Sequence, residues 1–254
     1  MNQTLRRTLT KTVVLALSLG ATQAIATEHG TSALENAEAI KIVSQSIPKD
    51  YFYIEQNIQA SSAKKLLRQD LLRMDNALSA MKKNPPNEES KNLVEFMLLS
   101  VDELKSTLNE PYNAGNGGLV LDYTETLLEG SENIAKHARK KVSGTVFDKL
   151  EEMKFLLARI AKYYIAFRAG YTDDINVQQS RMAVDKFESL LKEVKKTKFT
   201  SPKAQAALKT LVKYWPASKS FYLGIKQSEL PTIVFISTKY MEKALDTLID
   251  NLPK

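Results

Sequence analysis

The chain has no cysteine, two histidines, nine glycines and one tryptophan among 254 residues. Without cysteine there are no disulfides and no thiolate ligands, so stability has to come from an apolar core. His29 and His137 have no partner at metal-ligand spacing, and no Ser-His-Asp or Cys-His set can be assembled. No catalytic residue, metal or cofactor is therefore expected. Strand-type alternation is absent and glycine is scarce, which argues against a β architecture. After residue 26 no run approaches the roughly 20 apolar residues of a membrane span. A basic stripe is missing too: the net charge is +7, but its signs are interspersed, unlike a nucleic-acid-binding surface.

What is present starts with a leader. Arg6, Arg7 and Lys11 precede the apolar stretch Val13–Gly20, and Ala24-Ile25-Ala26 has the form of a cleavage site. Residues 1–26 thus read as a signal peptide, with no following cysteine for lipid attachment. Its removal leaves 33 basic and 29 acidic residues, a charge of +4. The expected product is periplasmic and does not span the membrane.

Beyond the leader, apolar residues recur every three or four positions, the pattern of helices with one buried stripe. The expected helices are 32–59, 61–83, one from residue 88 to about residue 109, 119–141, 145–169, 175–196, 202–223 and 232–252. Pro48 should kink the first, and Trp215-Pro216 should interrupt the seventh. Thr172 or Asp173 is a plausible cap for the sixth, and Ser201-Pro202 a strong start for the seventh. Residues 110–118, rich in glycine and asparagine, read as a mobile loop.

One stretch occurs twice. Ile40, Val43, Ile47, Tyr51, Ile54 and Ile58 plus 113 give Met153, Leu156, Ile160, Tyr164, Phe167 and Tyr171. Lys41 maps onto Lys154 and Lys49 onto Lys162. The same offset carries Met74 to Phe187, Leu78 to Leu191, Val120 to Ile233 and Leu127 to Tyr240. The expectation is an all-α fold of two tandem four-helix bundles, residues 27–142 and 143–254. With one glycine and no proline in 139–145, helices four and five should run on into each other and set the bundles end to end.

Ile42-Val43-Ser44-Gln45-Ser46-Ile47-Pro48-Lys49-Asp50-Tyr51 resembles the R-M-L-S-Q-R-I-x-K-x-Y signature of PilJ-type sensor domains, related to the ligand domains of nitrate-sensor kinases. Lys154 to Tyr164 resembles it again. Phe187 to Leu191 resembles the family's second helix, Trp215 its third-helix tryptophan, and Leu127-Leu128-Glu129 its fourth helix. The arginines that precede the family's methionine are reduced here to Lys41 and Lys154. The resemblance implies a sensor-type protein binding a small anion such as nitrate or nitrite. It would signal through a membrane-bound receptor, kinase or cyclase, since no such output segment is seen.

The candidate ligand-binding residues are Lys41, Gln45, Lys49, Lys154, Arg159 and Lys162. For each lysine a second reading stands open, a stem covering the core with its ammonium in water. The aromatics Tyr51, Phe52, Tyr53, Tyr163, Tyr164, Phe167 and Tyr171 could wall a pocket or fill a core. At the level of function the alternative is an envelope interaction module with no small-molecule ligand.

Overall fold

The computed structural model describes residues 33–138, 144–227 and 229–252. The leader expected at 1–26 and most of the junction expected to be helical lie outside these. The described residues form eight helices and no strand. They are α1 (33–55), α2 (Ala60–Lys83), α3 (Glu88–Asn109), α4 (Ala114–Ala138), α5 (Val146–Arg168), α6 (Asp174–Val194), α7 (Pro202–Leu223) and α8 (Pro231–Asp250). None of them is long and apolar enough to cross a membrane.

Local chemistry explains most boundaries. Asn57 and Gln59 take left-handed backbone angles and turn the chain between α1 and α2. Asn87 caps α3 by accepting from the Ser90 amide, and Asp173 caps α6 by accepting from Asn176. Pro202 and Pro231 occupy first turns, where a missing amide proton costs nothing. Pro216 does not interrupt α7. It faces solvent, where the carbonyl it leaves without a donor can be hydrated, while Trp215 packs on Phe187 with ring centroids 4.1 Å apart.

The glycine-rich stretch 115–118 is not a loop but the first turn of α4. Gly117 is buried, and a Cβ there would collide with the Tyr171 ring. That ring's hydroxyl donates to the Ala114 carbonyl at 2.6 Å. Tertiary contact thus outweighs the weak helix preference of the glycines.

The end-to-end arrangement is also corrected. α5 starts afresh: Thr145 and Asp148 form a reciprocal capping box, and Gly144 sits at φ 105. No helix runs through that point. α4 instead lies antiparallel to α5, with Ala114 beside Tyr171 and Glu125 beside Lys162. α1 runs parallel to α5, with Lys41 bonded to Glu152 and Phe52 against Tyr171. α8 lies antiparallel to both: Asp246 meets Lys154, Glu242 meets Lys49, and Phe235 packs edge-on to Tyr53. The first and second halves are side by side along a seam of α1, α4, α5 and α8.

The core falls into two clusters. One holds second-half side chains with Ile42 and Leu128 added; the other holds first-half side chains with Ile165, Ala166 and Phe235 added. α1 and α5 sit at the junction and are buried nearly all round, continuously over 42–53 and, apart from Arg159, over 155–166. A helix apolar on one stripe alone could not occupy this place.

Burial repeats along the chain, but not at one constant offset. The value 113 holds for α1 with α5 and for α2 with α6: Ile40 and Met153, Ile47 and Ile160, Met74 and Phe187 are all fully buried. For α3 with α7 and α4 with α8 the offset is 114. It pairs Met97 with Leu211, Val101 with Trp215, Val120 with Val234, Leu127 with Met241 and Ile134 with Leu248, all buried. The extra residue lies between α6 and α7. Ile233 and Tyr240, the partners expected at 113, face solvent.

Candidate functional site

The titratable side chains of interest lie along the seam, placed there by α1 and α5. Lys49 is 5 % exposed, and its ammonium donates to Glu242 of α8 at 2.8 Å. Burial opposes its charge, but Asp50 and Glu242 outweigh that and hold its pKa above the ordinary value. Asp50 is fully buried. Neither of its oxygens accepts a hydrogen bond, and the Lys49 ammonium stands 3.7 Å away, within ion-pair range only. Burial, opposed by Lys49 and aided by Asp70 and Glu242, pushes the Asp50 carboxyl up to about 8. Asp70 of α2 is raised to about 6, again chiefly by burial.

A second cluster forms around Glu125 of α4. Lys162 is buried and bonds to its Oε1, and the Arg159 guanidinium lies 3.7 Å from its Oε2. The Gln45 side chain also favours its charged form. Burial works against the charge on Glu125, and these three together outweigh it, so its pKa is lowered. Burial lowers Lys162 to about 8, with Glu125 opposing and Arg159 adding to the fall. Both cations rest against the Tyr163 ring, at 4.2 Å for the ammonium and 5.3 Å for the guanidinium carbon.

Of the six expected site residues, Arg159 and Lys162 meet at Glu125, and Gln45, whose side-chain amide donates to Ser44 at 3.1 Å, lies near enough to favour the charge on that carboxylate. Lys49 belongs to the separate cluster with Asp50. Lys41 and Lys154 are apart from both, in matching environments. Lys41 bonds Glu152 at 2.6 Å and keeps Glu38 at 3.9 Å; Lys154 reaches Asp246 at 2.8 Å and Glu151 at 4.0 Å. All five cations are therefore neutralised from within. The aromatics of α1 and α5 are mostly packed in the core.

The open groove nearby, of about 760 Å³, lies between the starts of α1 and α5 and the last turns of α6. Six carboxylates line it (Glu35, Glu38, Asp148, Glu151, Glu152 and Glu193) against Arg73, Lys149 and Lys186. Its sign does not suit an anion. Among the described residues no group of three or more histidine, cysteine or acidic side chains could hold a metal ion.

Sequence reasoning passed over Glu125, Glu242, Asp50 and Asp70. Asp50 carried a usable signal, a charge directly beside Lys49 inside an apolar helix. Glu125 and Glu242 carried none, because their helices looked amphipathic with acidic flanks.

Fold and site together define an all-helical protein with a charged, largely buried seam. No family model, curated protein or solved structure matches the chain.

Proposed function

We propose that the chain is a sensor-type binding protein of the periplasm, made of two PilJ-like four-helix modules, 27–142 and 143–254, packed side by side. A small anion such as nitrate or nitrite exchanges with the Glu125 carboxylate at Gln45, Arg159 and Lys162. The exchange changes how the modules pack, and a membrane-bound receptor, kinase or cyclase reads that packing.

The observation that carries this reading is the convergence of three expected residues, one from the first half and two from the second, on a single carboxylate. Carboxylate and nitrate present similar planar oxygens to a guanidinium. Glu125 is 35 % exposed, so it can swing into water when displaced. A ligand shifts a two-state packing only by its difference in affinity for the two states. An anion that removes the α4–α5 bond supplies such a difference.

The test is thermal stabilisation by nitrate and nitrite of the wild type and of Glu125→Gln, each shown folded by circular dichroism. Glu125→Gln should bind more tightly, because its cations lack their internal partner. Absence of stabilisation in both proteins at millimolar anion would sink the anion reading.

A second reading, an envelope interaction module, is favoured by one observation. Ile233, Ile236 and Tyr240 form an exposed stripe on α8, beside Tyr214 stacked on Tyr240 at 5.5 Å. Capture of a periplasmic partner that depends on these residues, and not on Lys41, Lys154 or Lys162, would establish it in place of the first.

A further inference from the structure

The seam has unequal sides, α4–α5 and α1–α8. At one, Lys162 is buried beside Tyr163 and one carboxylate. At the other, the equivalent Lys49 is buried beside Asp50, which stands where the second half has Tyr163. The same fold therefore accommodates a buried lysine without a buried acid next to it. Around Lys49 there are three acids, Asp50 from α1, Asp70 from α2 and Glu242 from α8. One ammonium cannot balance three carboxylates, and its hydrogen bond goes to Glu242. Asp50 is left with no donor to either oxygen in a fully buried position.

We propose that Asp50 is a proton-operated latch at the seam: neutral, it lets α8 close on α1, and ionised, it loosens the two halves from each other. Its charged and titratable surroundings come from several helices. Lys49 and Tyr53 of α1, Asp70 of α2 and Glu242 of α8 act with Asp50 itself; Arg73 of α2 and Lys154 of α5 act on Asp70, and Tyr164 of α5 and Tyr222 of α7 on Tyr53. Among the described residues Lys49 is the cation within ion-pair range of Asp50, at 3.7 Å, while Arg73 and Lys154 act on Asp70. An ionised Asp50 would face Asp70 and Glu242 with no hydrogen bond to compensate, a costly arrangement in a low-dielectric interior. Separation of α8 from α1 relieves it by admitting water.

The sign follows from proton counting. The folded carboxyl titrates at about 8 against an ordinary 3.8. Between those values the folded state holds a proton that the unfolded state has lost. Stability is thus full below about pH 4 and declines as pH rises through about 8, where the loss is complete. The latch is closed in acid and open in mild alkali.

Carbon-13 NMR of aspartate carboxyls in the mature protein tests this directly. One aspartate should titrate near pH 8, and the urea midpoint should fall between about pH 4 and pH 8 and level off above it. Asp50→Asn should delete that resonance and flatten the fall. Glu242→Gln should move the titration downward, because Lys49 then turns to Asp50 as its sole close partner; a merely structural Asp50 would not respond. The wild type and Glu242→Gln decide the matter even if Asp50→Asn does not fold. If no aspartate titrates above about pH 7, or the one that titrates near pH 8 survives in Asp50→Asn, the latch is overturned.

Discussion

At the scale of single residues the two partners of one ion pair should behave unequally. Lys162 is 1 % exposed and Glu125 35 %. Removing Glu125 leaves a buried ammonium next to Arg159 with no counter-charge. Breaking a fully buried pair costs about 3–5 kcal/mol. Glu125→Ala should cost less, about 2 kcal/mol, because its carboxylate already reaches water. Lys162→Met removes the charge that burial penalises and leaves a glutamate free to turn outward, so it should be neutral or stabilising by about 1 kcal/mol. Urea unfolding at neutral pH checks both. The pH dependence has a definite sign as well. Lys162 titrates at about 8 when folded against an ordinary 10.5. In that window the unfolded state binds the extra proton, so this group's contribution to stability rises with pH, and Lys162→Met should lose that rise. The cations of this site were legible in the sequence, because each interrupts an apolar helical face. Their carboxylates were not, since Glu125 lies 37 positions from Lys162 and Glu242 lies 193 from Lys49.

At the scale of elements, α4 depends on a glycine for a reason outside its own helix. Alanine at an exposed helical glycine stabilises by up to about 1 kcal/mol. At Gly117 the added methyl would meet the Tyr171 hydroxyl and ring, with Phe52 behind. Overpacking of this kind costs about 1–3 kcal/mol, so Gly117→Ala should be net destabilising. In a Tyr171→Ala background the same change should approach its helix-propensity gain, a coupling that a double-mutant cycle in urea would measure. The start of α5 offers a simpler case: Thr145→Ala breaks the capping box and should cost about 1 kcal/mol. Starts of this sort were visible beforehand at Asp173 and Pro202, because a cap is local chemistry, whereas the one at Thr145 was missed because helices four and five were expected to run on through it. The first turn of α4 was not, because Tyr171 lies 54 positions from Gly117 and the local glycine content pointed the other way. The one-residue shift between the halves was hidden for a related reason. Helices half composed of apolar residues match at either offset, and only burial separates Val234, which is inside, from Ile233, which is not.

At the scale of the whole molecule, the all-helical class followed from periodicity, but the mutual placement of the halves did not. Periodicity identifies a buried stripe and cannot say what covers it. The run from Ile42 to Tyr53 looked like one stripe with polar flanks, yet Ser44, Gln45, Lys49 and Asp50 are buried with the rest. Lys49 meets Glu242 of the other half there, and contacts of this kind make the halves interdependent. Ile42 and Leu128 belong to the second core, while Ile165, Ala166 and Phe235 belong to the first. Lys49–Glu242 and Lys162–Glu125 cross the same boundary. Two free-standing domains on a linker would melt independently, whereas halves that complete each other's core should unfold together. Calorimetry of residues 27–254 should therefore show one transition, with equal calorimetric and van't Hoff enthalpies. Cutting the chain between the halves extends the test. Fragments 33–138 and 144–252, made separately, should each expose Tyr53 or Ile165 at the seam and bind a hydrophobic dye. Mixed at equal concentration, they should form a one-to-one complex, release the dye and regain a single transition. Two transitions in the intact chain, or a fragment that is folded and dye-free alone, would mean that the seam joins domains already complete.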